Sequence, residues 1–240
     1  MNIAKKFKLS LAFSLCLLNS TVGQTISSSF DTDLEGWIVE GDVTSFTHFV
    51  GDGNPAPMML VDEQNASGPI FRAVAPAQFL GDLTLYDEGT ISIDARLVFT
   101  GGQVVEQFGI TSIFGAGDVA TLDIAMAQIS DDWQTFAATL SAANWGKSQA
   151  EWETILSDVT SIEIVIESVG GNETIGFDNP TIARKIIIGD INCDGQIDLL
   201  DVAPFVDLLG NGSFEPKADI NQDGVVNLLD VGPFVDLLSG

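Results

Sequence analysis

Gly189-Asp-Ile-Asn-Cys-Asp-Gly-Gln-Ile-Asp-Leu-Leu-Asp-Val-Ala-Pro-Phe-Val-Asp-Leu-Leu209 returns almost unchanged as Ala218-Asp-Ile-Asn-Gln-Asp-Gly-Val-Val-Asn-Leu-Leu-Asp-Val-Gly-Pro-Phe-Val-Asp-Leu-Leu238. The offset is 219 − 190 = 29 residues. A repeat of this kind marks a repeated structural unit. Each unit here is an acidic loop followed by an apolar stretch.

The loop has a chemical logic. Calcium is a hard cation that takes oxygen ligands from positions 1, 3, 5, 7, 9 and 12 of an EF-hand loop, with glycine at position 6 for the turn. In the first copy those positions are Asp190, Asn192, Asp194, the carbonyl of Gln196, Asp198 and Asp201, with Gly195 at the turn. In the second they are Asp219, Asn221, Asp223, the carbonyl of Val225, Asn227 and Asp230, with Gly224. Every side-chain ligand position carries oxygen in both copies. Carboxylates crowded into so small a loop repel one another unless a cation joins them. Two calcium ions are therefore expected, the first loop binding more tightly because Asp198 stands where the second has Asn227. Ile197 and Val226, at position 8, are placed to pair the loops through a short strand contact.

After each loop, Leu199, Val202, Phe205, Val206 and Leu209, and Leu228, Val231, Phe234, Val235 and Leu238, recur at helical spacing and predict one apolar face each. Pro204 and Pro233 fit only near the start of a helix. Helices this short need each other and the metal.

Residues 187–240 thus resemble a type I dockerin: paired loops, aspartate at the twelfth position and no helix before each loop. That resemblance implies docking onto a cohesin-like or other extracellular protein, often in polysaccharide degradation. Recognition in the family leans on the tenth and eleventh loop positions, often polar. Here they are Leu199, Leu200, Leu228 and Leu229, either core residues or an apolar partner-binding face.

Residues 28–183 read differently. Short alternating runs such as Thr90–Phe99, Gln107–Phe114 and Ser161–Glu167 are broken by Gly, Asn, Asp and Pro, the pattern of a half-buried antiparallel sheet. Only Ser148–Leu156 looks helical. The fold class is mostly β, an antiparallel β-sandwich of jelly-roll type, followed by the small helical module. The order of Phe30-Asp31, Gly36-Trp37, Gly53-Asn54-Pro55, Phe79-Leu80-Gly81-Asp82, Gly89–Asp94, Trp133, Trp145 and Gly176-Phe177-Asp178-Asn179 resembles a laminin B (laminin IV type A) domain. That implies a galactose-binding-like extracellular module without catalytic activity. Trp37 reads as core, and Trp145 and Trp152, seven apart around the helix, as the better candidates for glycan binding. Asp31 or Asp33 near Asp178 would suit either hydrogen-bonded turn aspartates or a third, structural calcium.

The whole chain limits the function classes. Lys5, Lys6 and Lys8 followed by the apolar run Leu9–Leu18 read as a secretory signal peptide over residues 1–23, too short for a membrane helix. Its removal takes the net charge from −25 to −25 − 3 = −28, which excludes nucleic acid as a partner. The cysteines are Cys16 and Cys193, so the mature chain has no internal disulfide. His48 is the lone histidine and Tyr86 the lone tyrosine, leaving no parts for a Ser-His-Asp triad. Glu163 and Glu167 are the nearest approach to a glycosidase pair, better read as the solvent side of a strand. The expectation is a secreted, non-catalytic modular protein that attaches a glycan- or matrix-binding domain to an extracellular partner. The alternatives are a polysaccharide hydrolase subunit and a structural matrix or cell-surface component.

Overall fold

The computed structural model describes residues 25–64, 70–104, 107–125 and 128–239. The signal-peptide stretch lies outside the described residues. The chain divides into two compact units, one running from Thr25 to Lys185 and one from Ile186 onward.

The first unit contains, in order, β1 (Thr25–Ser27), β2 (Ile38–Glu40), β3 (Ser45–Phe49), β4 (Met58–Glu63), β5 (Arg72–Val74), β6 (Thr90–Thr100), β7 (Gln103–Val104), β8 (Ile110–Gly115), β9 (Asp118–Asp123), β10 (Gln134–Thr139), α1 (Gln149–Leu156), β11 (Val159–Val165), β12 (Val169–Gly170) and β13 (Glu173–Ala183). One antiparallel sheet runs β10-β6-β13-β4-β3, with β1 also on β13. The other runs β2-β5-β11-β8-β9. Strand β7 pairs with β12. This is the two-sheet sandwich that the alternating runs predict.

Alternation sets the core. Ile91, Ile93 and Ala95 of β6, Met59 and Val61 of β4 and Ile175 and Phe177 of β13 are buried with Ile113 of β8 and Ile162 and Ile164 of β11. Side chains at intervening positions face the other way, as the period of two requires. Burying these apolar faces is the main drive for the fold.

Helix α1 starts at a capping box. Glu151 N–H donates to Ser148 Oγ at 3.4 Å, and Ser148 N–H donates to the Glu151 carboxylate at 2.9 Å. The helix buries Trp152, Ile155 and Leu156. It comes so close to β8 that a Cβ on Gly115 would lie 2.1 Å from the Ile155 carbonyl oxygen, so glycine is required there.

In the second unit, α2 (Val202–Asn211) and α3 (Val231–Ser239) follow the two loops. Phe205 and Phe234 meet with ring centroids 4.3 Å apart. Ile191, Leu208, Ala218 and Val226 complete a small core. Gly212 ends α2 in the left-handed conformation, φ 69°, its N–H donating to Leu208 O at 3.0 Å. The predicted apolar face needs correction. The helices begin at Val202 and Val231, so Leu199 and Leu228 fall in the preceding turn and are exposed, as are Val206 and Val235. Val226 is buried and Ile197 packs on the same cluster, but no strand joins the loops among the described residues.

Candidate functional site

The loops 190–201 and 219–230 close by the same hydrogen bonds. Asp194 N–H donates to Asp190 Oδ1 at 3.1 Å and Gly195 N–H to Asp190 Oδ2 at 3.0 Å. The matching bonds to Asp219 come from Asp223 and Gly224, at 3.0 and 2.8 Å. Asn192 and Asp198 N–H groups donate to the two oxygens of Asp201, both at 2.9 Å. Those of Asn221 and Asn227 donate to Asp230 at 3.1 and 2.8 Å. Gln196 and Val225 N–H groups donate to Asp194 and Asp223. The turn needs positive φ at two positions: 64° at Cys193 and 57° at Gln222, then 88° at both Gly195 and Gly224. A glycine takes that last conformation without a steric cost.

Asp201 and Asp230 are fully buried, and Asp190 and Asp219 nearly so. Burial pushes the Asp190 carboxyl above its ordinary range, and the charges of Asp201 and Asp194 push the same way against two main-chain hydrogen bonds. The loop thus concentrates negative charge that its own peptide N–H groups only partly offset. The donor set is all oxygen, with neither histidine nor thiolate at a ligand position, which suits a hard cation such as calcium. Among the described residues no group of three or more His, Cys, Asp or Glu side chains is closed into a metal cage. An EF-hand loop does not depend on one, because asparagine amides and a main-chain carbonyl complete its ligands.

Leu199 and Leu228 are each 79% exposed, Leu200 66% and Leu229 68%. Of the two readings of these leucines, the core reading is excluded. They are presented twice over, once per repeat, directly ahead of α2 and α3.

In the β-sandwich, the expectation for Trp145 and Trp152 is overturned. Both are buried, 2% and 0% exposed. Trp145 precedes the Ser148 cap, so the seven-residue spacing does not run along one helix. Trp145 Nε1–H donates to Thr139 O and Trp152 Nε1–H to Asp87 Oδ1, which satisfies the polar edge of each ring inside the core. Trp37 is core as expected. Trp133 is the tryptophan left partly open. It lies over Gly176 of β13, where a Cβ would come within 3.1 Å of its ring. The Arg96 guanidinium sits 5.6 Å from the ring centroid, held by an ion pair to Asp52.

Beside it, the 52–57 loop covers a polar cluster. Asn54 N–H donates to Asp178 Oδ2 at 2.6 Å, and the amides of Asn54 and Asn179 donate to Asp94. Burial, first, and the charges of Asp94 and Asp31 raise the Asp178 carboxyl to about 6. Asp31 is therefore near Asp178. Asp33 is exposed and accepts from Glu35 N–H. Glu163 is ion-paired with Arg72 at 2.7 Å. Glu167 lies past the end of β11 and is not on a solvent face: it is half-buried and accepts from Phe71 N–H.

Residues 188–232 match the Dockerin type I domain. Among solved structures, the L4b domain of human laminin alpha-2 is similar at 10% identity, covering 62% of this chain and 96% of that one, TM-score 0.47. The CBM22-1 xylan-binding domain from Paenibacillus barcinonensis Xyn10C is similar at 14% identity, covering 67% and 94%, TM-score 0.40. The family 30 carbohydrate-binding module of cellulosomal cellulase Cel9D-Cel44B of Clostridium thermocellum is similar at 13% identity, covering 67% and 98%, TM-score 0.43. No curated protein matches the chain. No helix among the described residues is long and apolar enough to cross a membrane.

Proposed function

We propose, from the premise that residues 188–232 form a type I dockerin domain, that this chain is a secreted, non-catalytic adaptor joining a polysaccharide-binding β-sandwich to an extracellular scaffold protein. The observation that carries the reading is the equivalence of the two loops, hydrogen bond for hydrogen bond. Asp190, Asn192, Asp194, Gln196, Asp198 and Asp201 hold one calcium ion, and Asp219, Asn221, Asp223, Val225, Asn227 and Asp230 a second. The ions draw the buried carboxylates together and fix the entry of α2 and α3. With the loops set, Leu199, Leu200, Leu228 and Leu229 present an apolar face to a cohesin-like partner. Large apolar side chains exposed together favour association by burial.

On the β-sandwich, Trp133 offers a ring to stack on a sugar, and Arg96, Asp52 and Asn54 offer polar groups around it. An apolar platform with a few fixed polar groups is the usual make-up of a small-ligand site. Arg96 on one face of the indole fixes its orientation. The test is binding of the full chain to immobilised xylan and cellulose, and separately to cohesin domains, in calcium and in chelator. The reading expects polysaccharide binding that Trp133→Ala abolishes and cohesin binding that chelator abolishes. Failure of both arms contradicts it.

A further inference from the structure

Lys217 is buried in the second unit, 4% exposed, where the other buried charged residues are the loop aspartates Asp190, Asp201, Asp219 and Asp230. An ammonium group carries several donors and a full charge, and burying it is costly unless it is well paired. Lys217 is poorly served. The Glu215 carboxylate stands 3.8 Å away, beyond hydrogen-bond reach. Among the described residues the Lys217 ammonium makes no hydrogen bond to oxygen, and it donates instead to Cys193 Sγ at 2.6 Å. A thiol sulfur is a weak acceptor.

The approach is closer than an ordinary N–H···O bond of about 2.7–3.2 Å, although sulfur is the larger atom. Cys193 is half-buried and stands between the ligand positions Asn192 and Asp194, held in the left-handed conformation at φ 64°. Its Sγ also lies 3.7 Å from Ile191 O. The main chain repeats the connection, because Gly189 N–H donates to Lys217 O at 2.8 Å. Residue 217 thus grips the start of the first loop through both its backbone and its side chain. The pair occurs once and not twice: the second repeat has Gln222 in the place of Cys193, and the first has Ile188 in the place of Lys217.

We propose that Cys193 and Lys217 form an oxidative crosslinking site, in which Sγ and Nζ become joined through a single oxygen atom taken from dioxygen. The S–H bond of Cys193, an N–H bond of Lys217 and the O–O bond break, while S–O and O–N bonds form. The second oxygen atom leaves as water with the two hydrogens released, and the remaining ammonium proton passes to solvent. Sulfur and nitrogen each give up two electrons, and dioxygen takes up all four. Holding the two reacting atoms in contact supplies the orientation that such a step needs. The product also removes a buried charge that has only a weak acceptor. The linked residues are 24 apart, so the bridge closes a ring around α2 and restricts the unfolded chain as any crosslink does. A dithiol reductant supplies the four electrons back, returning thiol and amine and releasing the oxygen as water. The site stands independently of the docking function.

The test is peptide mapping of the full chain after incubation in air-saturated buffer. The chain is then denatured and digested with trypsin, with and without prior dithiothreitol. Trypsin needs an unmodified lysine, and between 186 and 240 the sequence has no Lys or Arg other than Lys217. The unreduced wild type should therefore yield residues 186–240 as one piece, heavier by one oxygen and lighter by two hydrogens than the sequence requires. Reduction should restore the separate pieces 186–217 and 218–240 and open Cys193 to iodoacetamide. Cys193→Ser and Lys217→Arg should both be cut after position 217 without reductant. Should either variant fail to fold, the wild-type digest with and without reductant decides alone. Cleavage after Lys217 in the unreduced wild type overturns the proposal, whether Cys193 is then found alkylated, in a disulfide or as a sulfinic acid. An uncut 186–240 piece of unaltered mass overturns it as well.

Discussion

Trp145 and Trp152 lie face to face in the sandwich core, with ring centroids 5.6 Å apart and planes 26° from parallel. Stacking of this kind adds to the large apolar area each ring buries. Trp152→Ala should therefore cost about 3–5 kcal/mol of stability by leaving a cavity. Trp133→Ala should cost about 1 kcal/mol or less, because its ring is partly open. Chemical denaturation of both variants checks the ranking, and a Trp133 variant as unstable as the Trp152 variant contradicts it.

The two loops differ at one side-chain ligand position. Asp198 carries a charge where Asn227 does not, and affinity rises with ligand charge. In calorimetric titration, Asp201→Ala should remove the tighter of the two loop transitions and Asp230→Ala the weaker. Loss of the tighter transition in Asp230→Ala reverses the assignment.

The exposed leucines can be tested without touching the loops. Leu200→Asp with Leu229→Asp should leave the helical signal and calcium affinity within about twofold, since surface changes of this kind alter stability little. Cohesin binding should fall by at least about a hundredfold, the effect of charging an apolar contact that must be desolvated. Pull-down against a cohesin panel reads the outcome. Unchanged binding would move the docking face elsewhere.

Asp178 carries a pH signature. Its carboxyl is raised from 3.8 to about 6 in the fold, mainly by burial. The folded state then holds the proton more tightly than the unfolded state, so this residue's contribution to stability is greatest below pH 4 and is lost as pH rises through 6. The stability difference between the wild type and Asp178→Asn should therefore shift in favour of the variant by on the order of 2 kcal/mol between pH 4 and pH 8. Denaturation at matched calcium saturation measures it, and a flat difference contradicts it.

What could be read from sequence followed the range of the interactions. The loops were legible because all their ligands fall within twelve consecutive residues, and the chemistry of one ion fixes their register. The strands around Thr90–Phe99 and Ser161–Glu167 were legible from alternation alone. The leucines 199 and 228 misled the helix reading because apolar spacing does not say where a helix begins. The spacing of Trp145 and Trp152 misleads because it crosses the helix start at Ser148. Asp42, Glu63, Glu167 and Glu173 are invisible as a group in the sequence because the β4–β13 pairing and the loops beyond β2 and β11 bring them together, and Glu167 by itself looks like a solvent-facing strand residue. The surroundings of Trp133 were hidden for the same reason, although its partial exposure distinguishes it at once from Trp37, Trp145 and Trp152.

On the proposed function, calcium in the two loops organises the docking module. Amide hydrogen exchange of the full chain in calcium and in chelator tests it most directly. Chelation is expected to strip protection from α2 and α3 while the central strands β6 and β13 stay protected. Helices α2 and α3 that keep their protection in chelator would contradict it.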